Sequence, residues 1–372
     1  MTVLHHIPQL AGLAENPALP ARLLDRFVEL ADEELSYYLA LRKDLTAEQK
    51  SLLAARKPVV ELDPDVVPPE RDPNTPPEVL TELGRRGDAV IDAGLAWNPA
   101  TPPDVTARLV GHPVDFVRWQ LVDRTDLPEW VYARLATDAM PGIRWDIAAN
   151  PATPAAVLRR MVAADTSREM RRSLARNPSI PLDLLVDIAG TTRIGPTLLP
   201  RIANATVDEL RGLATPRIMQ VRMLVAERED LADDLITLLV ADRDPGVGKS
   251  IVTNPVLTAE QMWDLVTRHG PRLYPRAARN PNCPPDLMRH ITRNAQTVRK
   301  AYRVIAKHPR AAADALLLCL QDKEARRHAA RHPNLPPHTI VELVADPNPD
   351  VAEAAAANPS LPPAIMAELL GL

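Results

Sequence analysis

The stretch "WDIAANPATPAAVLRRMV" (residues 145–162) contains the unit from which the chain is built. An Asn-Pro or His-Pro pair, a second proline three residues later and an apolar pattern recur in this order along the sequence. Clear copies are "NPATPPDVTARLV" (98–110), "NPSIPLDLLVDIA" (177–189), "NPNCPPDLMRHIT" (280–292), "HPNLPPHTIVELV" (332–344) and "NPSLPPAIMAELL" (358–370). Aligned on the second proline or its equivalent, fourteen positions from Pro20 to Pro362 follow at steps of 24 to 30 residues, most often 26. Such a sustained period is the signature of a repeat protein.

The part of each repeat that follows the second proline has the pattern of an amphipathic helix. Apolar residues stand three, four, seven and eight positions after Pro154, which is one face of a helix of about three turns. Proline is tolerated at a helix start because the first turn has no N–H partner to lose. Threonine directly before this proline, as at Thr75, Thr101 and Thr153, is expected to cap the helix.

A second, shorter helical segment is predicted before each Asn-Pro pair. It has apolar residues seven and three positions before the Asn, as at Ile143 and Ile147. The Asn-Pro pair ends it, because the residue before proline avoids the helical region, and the Asn side chain is then free to bond to loop backbone. Turn residues are expected to open it, namely Asp138, Asp165, Asp244 and Asp346.

The two segments predict an all-α solenoid, because a unit of this size cannot bury its own apolar face without stacking on its neighbours. The sequence accommodates about 13–14 repeats of about 26 residues. We expect regular repeats over residues 72–372, and divergent repeats over 1–71 that continue the same solenoid. The longest step marks an insertion at 55–74, which is expected to be an exposed loop.

The unit "VRxxLAxNPxTPxxxLxxLaxD" resembles the variant leucine-rich repeat family, whose repeats look closer to HEAT-like helical arrays than to β-strand leucine-rich repeats. The resemblance is clear from about residue 72 and weaker from residue 16. It implies a right-handed superhelix of alternating α and 3₁₀ segments. One type of protein in that family carries an N-terminal cysteine cluster for an iron–sulfur centre. This sequence has no cysteine before Cys283, so no cofactor is expected.

Composition excludes several classes of protein. The formal net charge is −4, which argues against a uniformly basic nucleic-acid binder. The two cysteines, Cys283 and Cys319, form no CxxC motif and favour reduced thiols over a disulfide or a metal site. No apolar run approaches the length needed to span a bilayer. We therefore expect a cytoplasmic protein that does not bind membranes.

The segment "DPGVGKSIVTNP" (244–255) contains Gly-Lys-Ser, the last residues of a nucleotide-binding loop. It nevertheless belongs to the repeat. Arg243 stands where that loop needs its first glycine. Aligned on Asn-Pro, Lys249 and Ser250 match Trp145 and Asp146 of an earlier copy.

No GxSxG motif occurs either, and we expect no enzymatic activity. An active site assembled from several repeats would leave no linear motif and stays an open alternative.

When the copies of the repeat are aligned, equivalent residues form columns, and two adjacent columns could bind a partner. Arginine recurs six positions before the Asn, where it can tie repeats together through Asp or form a basic stripe. Tryptophan and arginine, which are common interface anchors, occupy the next position. The candidate partner-binding residues are Arg118, Trp119, Arg144, Trp145, Arg171 and Arg172, with Arg222 and Arg326 further along the first column. The two tryptophans could equally act as spacers between repeats.

A second candidate site lies in a basic region. Residues 265–332 hold 15 Lys/Arg against 4 Asp/Glu, whereas residues 1–98 hold 10 against 17. A basic stretch on a curved helical array can follow a phosphate backbone. Arg299, Lys300, Arg303 and Lys307 are the candidate nucleic-acid contacts.

His328 and His332 stand four residues apart, a spacing that can hold a metal ion, but neighbouring arginines disfavour a metal. His308 and His332 instead replace the Asn of the repeat.

The sequence thus predicts a non-enzymatic scaffold that binds a protein or peptide along its surface. Nucleic-acid binding through residues 265–332 is the first alternative. Self-assembly is the second, because the last repeat ends abruptly at "MAELLGL" and an uncapped apolar end favours association through the C-terminal repeat.

Overall fold

The computed structural model describes residues 7–54, 67–215 and 217–371, and in these ranges the chain is helical with no β-strand. The prediction of an all-α fold is confirmed. The chain divides into two compact units. Unit 1 combines Met1–Glu61 with Val252–Leu372, and unit 2 is Leu62–Ile251.

The helices are short and follow the predicted repeat. Unit 1 contains α1 Pro8–Glu15, α2 Ala21–Leu30, α3 Glu33–Ala40, α4 Ala47–Ala54, α19 Ala259–His269, α20 Tyr274–Ala277, α21 Pro285–Asn294, α22 Lys300–Ile305, α23 Ala313–Cys319, α24 Lys323–Ala330, α25 Pro337–Val344, α26 Pro349–Ala356 and α27 Pro363–Leu369, with 3₁₀ segments at Gly270–Leu273 and Ala295–Thr297. Unit 2 contains α5 Pro77–Gly84, α6 Ala89–Trp97, α7 Pro103–Leu109, α8 Asp115–Trp119, α9 Glu129–Leu135, α10 Pro141–Ala149, α11 Ala155–Ala164, α12 Arg168–Arg176, α13 Leu182–Thr191, α14 Pro200–Ala203, α15 Val207–Ala214, α16 Met219–Val225, α17 Asp233–Val240 and α18 Pro245–Ile251.

The first helix of each repeat begins where the second proline predicts. Pro154 is the N-cap of α11, and its extended backbone (ψ 144°) turns the chain into the helix. The apolar face of α11 is buried, with Val157, Leu158 and Met161 at most 3% exposed. The same arrangement holds at α7, α13 and α27.

The prediction that threonine caps these helices is wrong. Thr153 and Thr101 donate their hydroxyls backwards, to the carbonyl oxygens of Ile147 and Leu95, at 2.6 and 2.7 Å. Thr75 likewise donates to the carbonyl of Pro69. Because proline takes the N-cap position, the threonine lies one residue further out, over the end of the preceding helical turn. It therefore holds the turn closed and leaves the first helix uncapped by a side chain.

The second helix of each repeat packs beside the second helix of the next, as α10 does with α12 and α24 with α26. At most of these ends a buried Asn or His links the two helices, and Arg42, Arg124 and Arg228 take the same place in other repeats. Asn177 ends α12, is fully buried, and donates its side-chain amide to the carbonyls of Ala148 and Asn150 at the end of α10, at 3.0 and 2.6 Å. Its Oδ1 accepts the amide of Ser179 at 2.7 Å.

This hydrogen-bond ladder recurs through both units. In each case the side-chain donor lies 24 to 29 residues after its acceptor along the chain, apart from the pair that joins the chain's two ends. The donors are Asn16, Asn98, Asn150, Asn177, Asn280, His308, His332 and Asn358. The ladder fixes the register in which one repeat lies on the previous one, since each Asn reaches one pair of carbonyls and each His a single carbonyl.

The turns that open the second helices are as predicted. The carboxylate of Asp138 accepts the amide two residues later, from Met140, at 2.9 Å. Asp165, Asp244 and Asp346 make the same turn with the amides of Ser167, Gly246 and Asn348.

The predicted insertion at 55–74 falls partly outside the described residues, since 55–66 are not described. Residues 67–74 form a turn that belongs to the repeat. Asp72 stands in the Asn column, and Asn98 donates to the carbonyls of Glu70 and Asp72 at 3.2 and 2.9 Å. No helix in the described ranges is long and apolar enough to cross a membrane.

Replacing a ladder residue should destabilise the protein. Asn177→Ala removes two donors from buried carbonyls and the acceptor of Ser179, so we expect the free energy of unfolding to fall by about 2 to 3 kcal/mol. Urea denaturation measures it. Asn294→Ala is the matched control, because Asn294 is exposed and donates a single local bond to His290, and its effect should stay within about 0.5 kcal/mol. Equal losses for the two variants would contradict the ladder.

Candidate functional site

The arginines six positions before the Asn column are mostly bound within the protein. Arg118 donates from Nε and Nη2 to both carboxylate oxygens of Asp138, in the next repeat, at 2.7 and 2.9 Å. Arg222 pairs with Asp242 and Arg326 with Asp346 in the same way. Burial raises the pKa of Asp138 and the Arg118 hydrogen bond lowers it, with a net decrease. These arginines therefore tie successive repeats together.

Arg144 and Arg171 occupy the same column without a carboxylate partner among the described residues. Arg144 donates from Nη1 to the carbonyls of Asp138 and Ala139, at 2.6 and 3.1 Å. Arg171 donates to the hydroxyl of Thr192 at 3.3 Å, and its Nε is buried without a partner in the described chain. Both guanidinium groups lie against the protein and present little free surface.

Trp119 and Trp145 are half-buried. The ring of Trp119 lies against Gly142, where a Cβ would stand 2.9 Å from Cη2, and its indole faces the carboxylate of Asp146. Burial raises the pKa of Asp146, and the Trp119 bond offsets part of that rise. The indole nitrogen of Trp145 is buried with no hydrogen-bond partner among the described residues. Arg172, which follows them in the column, is also half-buried.

Several strongly exposed apolar side chains of unit 2 lie elsewhere, and sequence reasoning missed them. Val90 and Phe116 hold equivalent positions at the starts of α6 and α8 and are 74% and 53% exposed. Phe116 precedes Trp119 by three residues, so both lie on one side of α8. Trp130, on α9, is 49% exposed. The sequence signal that could have identified Phe116 as exposed is its place directly before Val117, the buried valine of the second helix.

A cationic cavity of about 630 Å³ lies on the second helices of unit 1. Its charged and titratable lining residues are Arg279, Lys300, Arg303, Lys307, Arg327 and His328, together with His308. They come from three successive repeats, at the end of α20, along α22 and on α24. No carboxylate lines it.

The cations of this cavity are not neutralised by the protein. None of Arg279, Lys300, Arg303, Lys307 and Arg327 has an ion-pair partner in the described part of the chain. This sets them apart from arginines on the same helices, which find carboxylates: Arg299 binds Asp322 at 2.8 Å and Arg326 binds Asp346. The cavity therefore concentrates positive charge that forms no ion pair in the described chain, although Asp322 and Glu324 line the neighbouring cavity with Lys300 and Arg303.

The structure brings together three of the four predicted nucleic-acid contacts. Lys300, Arg303 and Lys307 line the cavity, whereas Arg299 is held by Asp322 in a neighbouring cavity of about 480 Å³. Arg279 and Arg327 were missed. Arg303 and Arg327 stand five positions before His308 and His332, which is the column that holds Trp119, Trp145 and Arg172 in unit 2. The column of Trp119 and Arg172 thus continues into the second predicted site as Arg303, whereas Lys300 and Lys307 lie at other positions of the repeat.

His308 and His332 take the place of the ladder Asn. The Nε2 of each contacts a carbonyl of the preceding repeat, Asn280 at 3.0 Å and His308 at 2.9 Å, while Nδ1 accepts an amide two residues later. Donation from Nε2 with acceptance at Nδ1 requires a neutral ring. Burial lowers the pKa of both residues, in agreement with that state.

The remaining titratable groups in the described ranges form no metal-binding cluster, and both thiols are buried. Among the described residues no group of three His, Cys, Asp or Glu side chains is placed to hold a metal ion. Cys283 and Cys319 are free and buried, and burial raises the pKa of each thiol to about 12. Such a pKa keeps both cysteines protonated and unreactive at neutral pH.

Comparison with known proteins adds little. No family model matches the chain, and no curated protein matches it. Among solved structures it is similar to one described as the crystal structure of an engineered protein, with 16% sequence identity, 94% coverage of this chain and 93% of that one. The TM-score is 0.23, too low to support an argument about fold or function.

The histidine ladder should make stability depend on pH. Folding keeps His308 and His332 neutral, so the unfolded chain binds more protons below the ordinary histidine pKa of 6.5, and stability should fall as the pH drops through that value. The double variant His308→Asn, His332→Asn should lose less stability between pH 8 and pH 5, as measured by urea denaturation at each pH. His338→Asn, at an exposed position, should keep the wild-type slope. An unchanged slope in the double variant would rule out the assigned ring state.

Proposed function

We propose that this chain is a non-enzymatic, cytoplasmic helical-repeat scaffold that binds nucleic acid through its phosphate backbone. The binding surface is the cationic cavity of unit 1 and the second helices around it. The observation that carries this proposal is the group of five Lys and Arg side chains that line one cavity without a carboxylate partner in the described chain.

A phosphate backbone fits this surface because it supplies a row of negative charges. Lys and Arg that neutralise phosphates release bound counterions, and this release provides most of the sequence-independent affinity for nucleic acid. The cations come from three successive repeats, so they extend along the stack and do not surround one point. Helical arrays typically use such extended surfaces for binding.

The aromatic residues near the cavity favour binding without base recognition. Tyr274 is 4% exposed and lies against His290, and Tyr302 is half-buried. Neither lines the cavity. Proteins that grip single strands stack bases on exposed aromatic rings, which this surface lacks. We therefore expect contacts to phosphates alone and little dependence on sequence.

The proposal includes the finer architecture implied by the sequence. We place the chain among proteins similar to variant leucine-rich repeats, and we take the repeats within each unit to follow a right-handed superhelical path. The period of about 26 residues and the ladder between successive second helices support this view. The two free cysteines favour a reducing compartment.

Removing cavity cations should weaken binding and reduce its salt dependence. We expect the triple variant Arg303→Ala, Lys307→Ala, Arg327→Ala to bind a short duplex DNA at least about 10-fold more weakly at low salt. Because each phosphate contact contributes about 0.9 to the slope of log K against log salt, the slope should fall by about 3. Fluorescence anisotropy of a labelled duplex across a salt series measures both quantities.

The matched control removes three exposed arginines of unit 2 that have no ion-pair partner in the described chain. Arg86→Ala, Arg193→Ala, Arg243→Ala changes the net charge by the same amount and should leave affinity and slope close to wild type. Equal losses in the two triple variants would mean that only overall charge matters. Absence of binding by the wild type at low salt would reject the proposal.

Protein binding through unit 2 is the second candidate function, favoured by the exposure of Val90 and Phe116 on the surface that also holds Trp119 and Trp145. Exposed apolar and aromatic side chains of this kind commonly mark protein interfaces. Val90→Ser with Phe116→Ser should leave the fold intact, since both side chains are largely in solvent, and should reduce the recovery of a partner.

Affinity capture from native lysate, followed by identification of the bound proteins, tests this second candidate. The control is Leu41→Ser with Val256→Ser, which removes equally exposed apolar side chains from unit 1. Loss of the same proteins with both double variants, or with neither, would argue against a specific interface at Phe116.

A further inference from the structure

One repeat of unit 1 is assembled from the two ends of the chain. Helix α27 is a first helix, preceded by Pro362. Helix α1 has the pattern of a second helix and ends at Asn16-Pro17. In the structure α1 lies against α26 and also contacts α27, which is the position that the next second helix takes in the stack.

The contacts at this junction are those of any other pair of repeats. Asn16 is fully buried and donates its side-chain amide to the carbonyls of Ala356 and Asn358, at 2.9 and 2.8 Å. Asn358 in turn donates to the carbonyls of Ala330 and His332, at 2.7 and 2.9 Å. The ladder therefore runs from the C-terminal repeats into the N-terminal helix without a change of chemistry.

The fit of α1 on α26 is close and apolar. Leu10, Leu13 and Ala14 are at most 3% exposed. Gly12 lies directly against the backbone of α26, where an added Cβ would collide with the carbonyl oxygen of Glu353. At the rim, Glu15 binds Arg331 at 2.8 Å. Opening the junction would expose this apolar surface on both helices.

We propose that this split repeat is an exchangeable interface, in which the N-terminal helix of one copy completes the last repeat of a second copy. Asn16 and Asn358 are 342 residues apart, so no short connection enforces the pairing within one chain. The same hydrogen bonds form whichever copy supplies α1, and only effective concentration favours the intramolecular arrangement. Exchange of an identical element between protomers is a low-energy route to dimers. This inference does not depend on the proposed nucleic-acid binding.

Two variants, each damaged on one side of the junction, test the exchange by complementation. Gly12→Val places a side chain against Glu353 and disables the N-terminal helix. Ala354→Trp fills the cavity of about 210 Å³ that Ala354 shares with Glu15, and disables the C-terminal side. Gly12→Val keeps an intact α26 but has no α1 that can pack on it, and Ala354→Trp keeps an intact α1 but has no α26 that can receive it. Each variant alone should therefore remain monomeric. Their mixture combines an intact α1 with an intact α26 and should form a heterodimer.

Size-exclusion chromatography with light scattering measures the masses, and circular dichroism confirms that each variant is folded. The expected result is a species of twice the monomer mass in the mixture only. Gly212→Val is the matched control, because the helical Gly212 has open space at its Cβ. Mixed with Ala354→Trp it should give no heterodimer, since its own ends remain paired. A mixture of folded Gly12→Val and Ala354→Trp that stays monomeric at every concentration would overturn the proposal.

A second measurement applies if either variant does not fold. Wild-type protein refolded from urea at high concentration should contain a dimer fraction that grows with concentration, because the unfolded chains choose between their own ends and those of a neighbour. A wild type that refolds only to monomer across the accessible concentrations would also overturn the proposal.

Discussion

A buried side chain that donates hydrogen bonds from the end of one second helix to the end of the previous one holds these repeats together. Leaving a buried carbonyl without a donor is unfavourable by about 1 to 3 kcal/mol, so a slip of register between repeats would be penalised once per repeat. The donor is Asn at most positions, neutral His at two and Arg at others such as Arg228, and Asn and His each bring a donor and an acceptor to the same place. Apolar burial drives the stacking, but it is non-directional, and the ladder supplies the register.

Once the ladder and the buried columns are fixed, other positions of the second helix can vary without altering the stack. The position five residues before the ladder donor carries Trp119 and Trp145 in unit 2 and Arg303 and Arg327 in unit 1. Its neighbour, one residue earlier, carries arginines such as Arg118 that bind Asp of the next repeat. Of these two adjacent columns, one joins repeats and the other carries different residues from repeat to repeat.

The period, the helices and the turns could be predicted from sequence because they depend on neighbours within a few residues. The proline starts, the apolar faces and the Asp turns all follow from local rules, and so does the replacement of Asn by His308 and His332. The threonine caps failed because proline and threonine compete for one position, and a local rule does not say which occupies it. The acceptors of the ladder lie some 26 residues away, so no local pattern specifies them. The packing of α1 on α26 joins residues more than 300 positions apart, so no local pattern specifies it either.

The uncompensated charge of unit 1 is informative because the same repeats show how easily it could have been neutralised. Arg299 and Arg326 find Asp322 and Asp346 within hydrogen-bonding distance, and one carboxylate at a facing position was enough. At Arg303, Lys307 and Arg327 no such carboxylate is present in the described chain, and the cations lie close enough to add to burial in lowering the pKa of His328. Mutual repulsion of this kind works against folding and is relieved when an anion enters. Paired arginines such as Arg299 and Arg326 join parts of the protein, whereas Arg303, Lys307 and Arg327 make no such join in the described chain and their charge stays available to an anion.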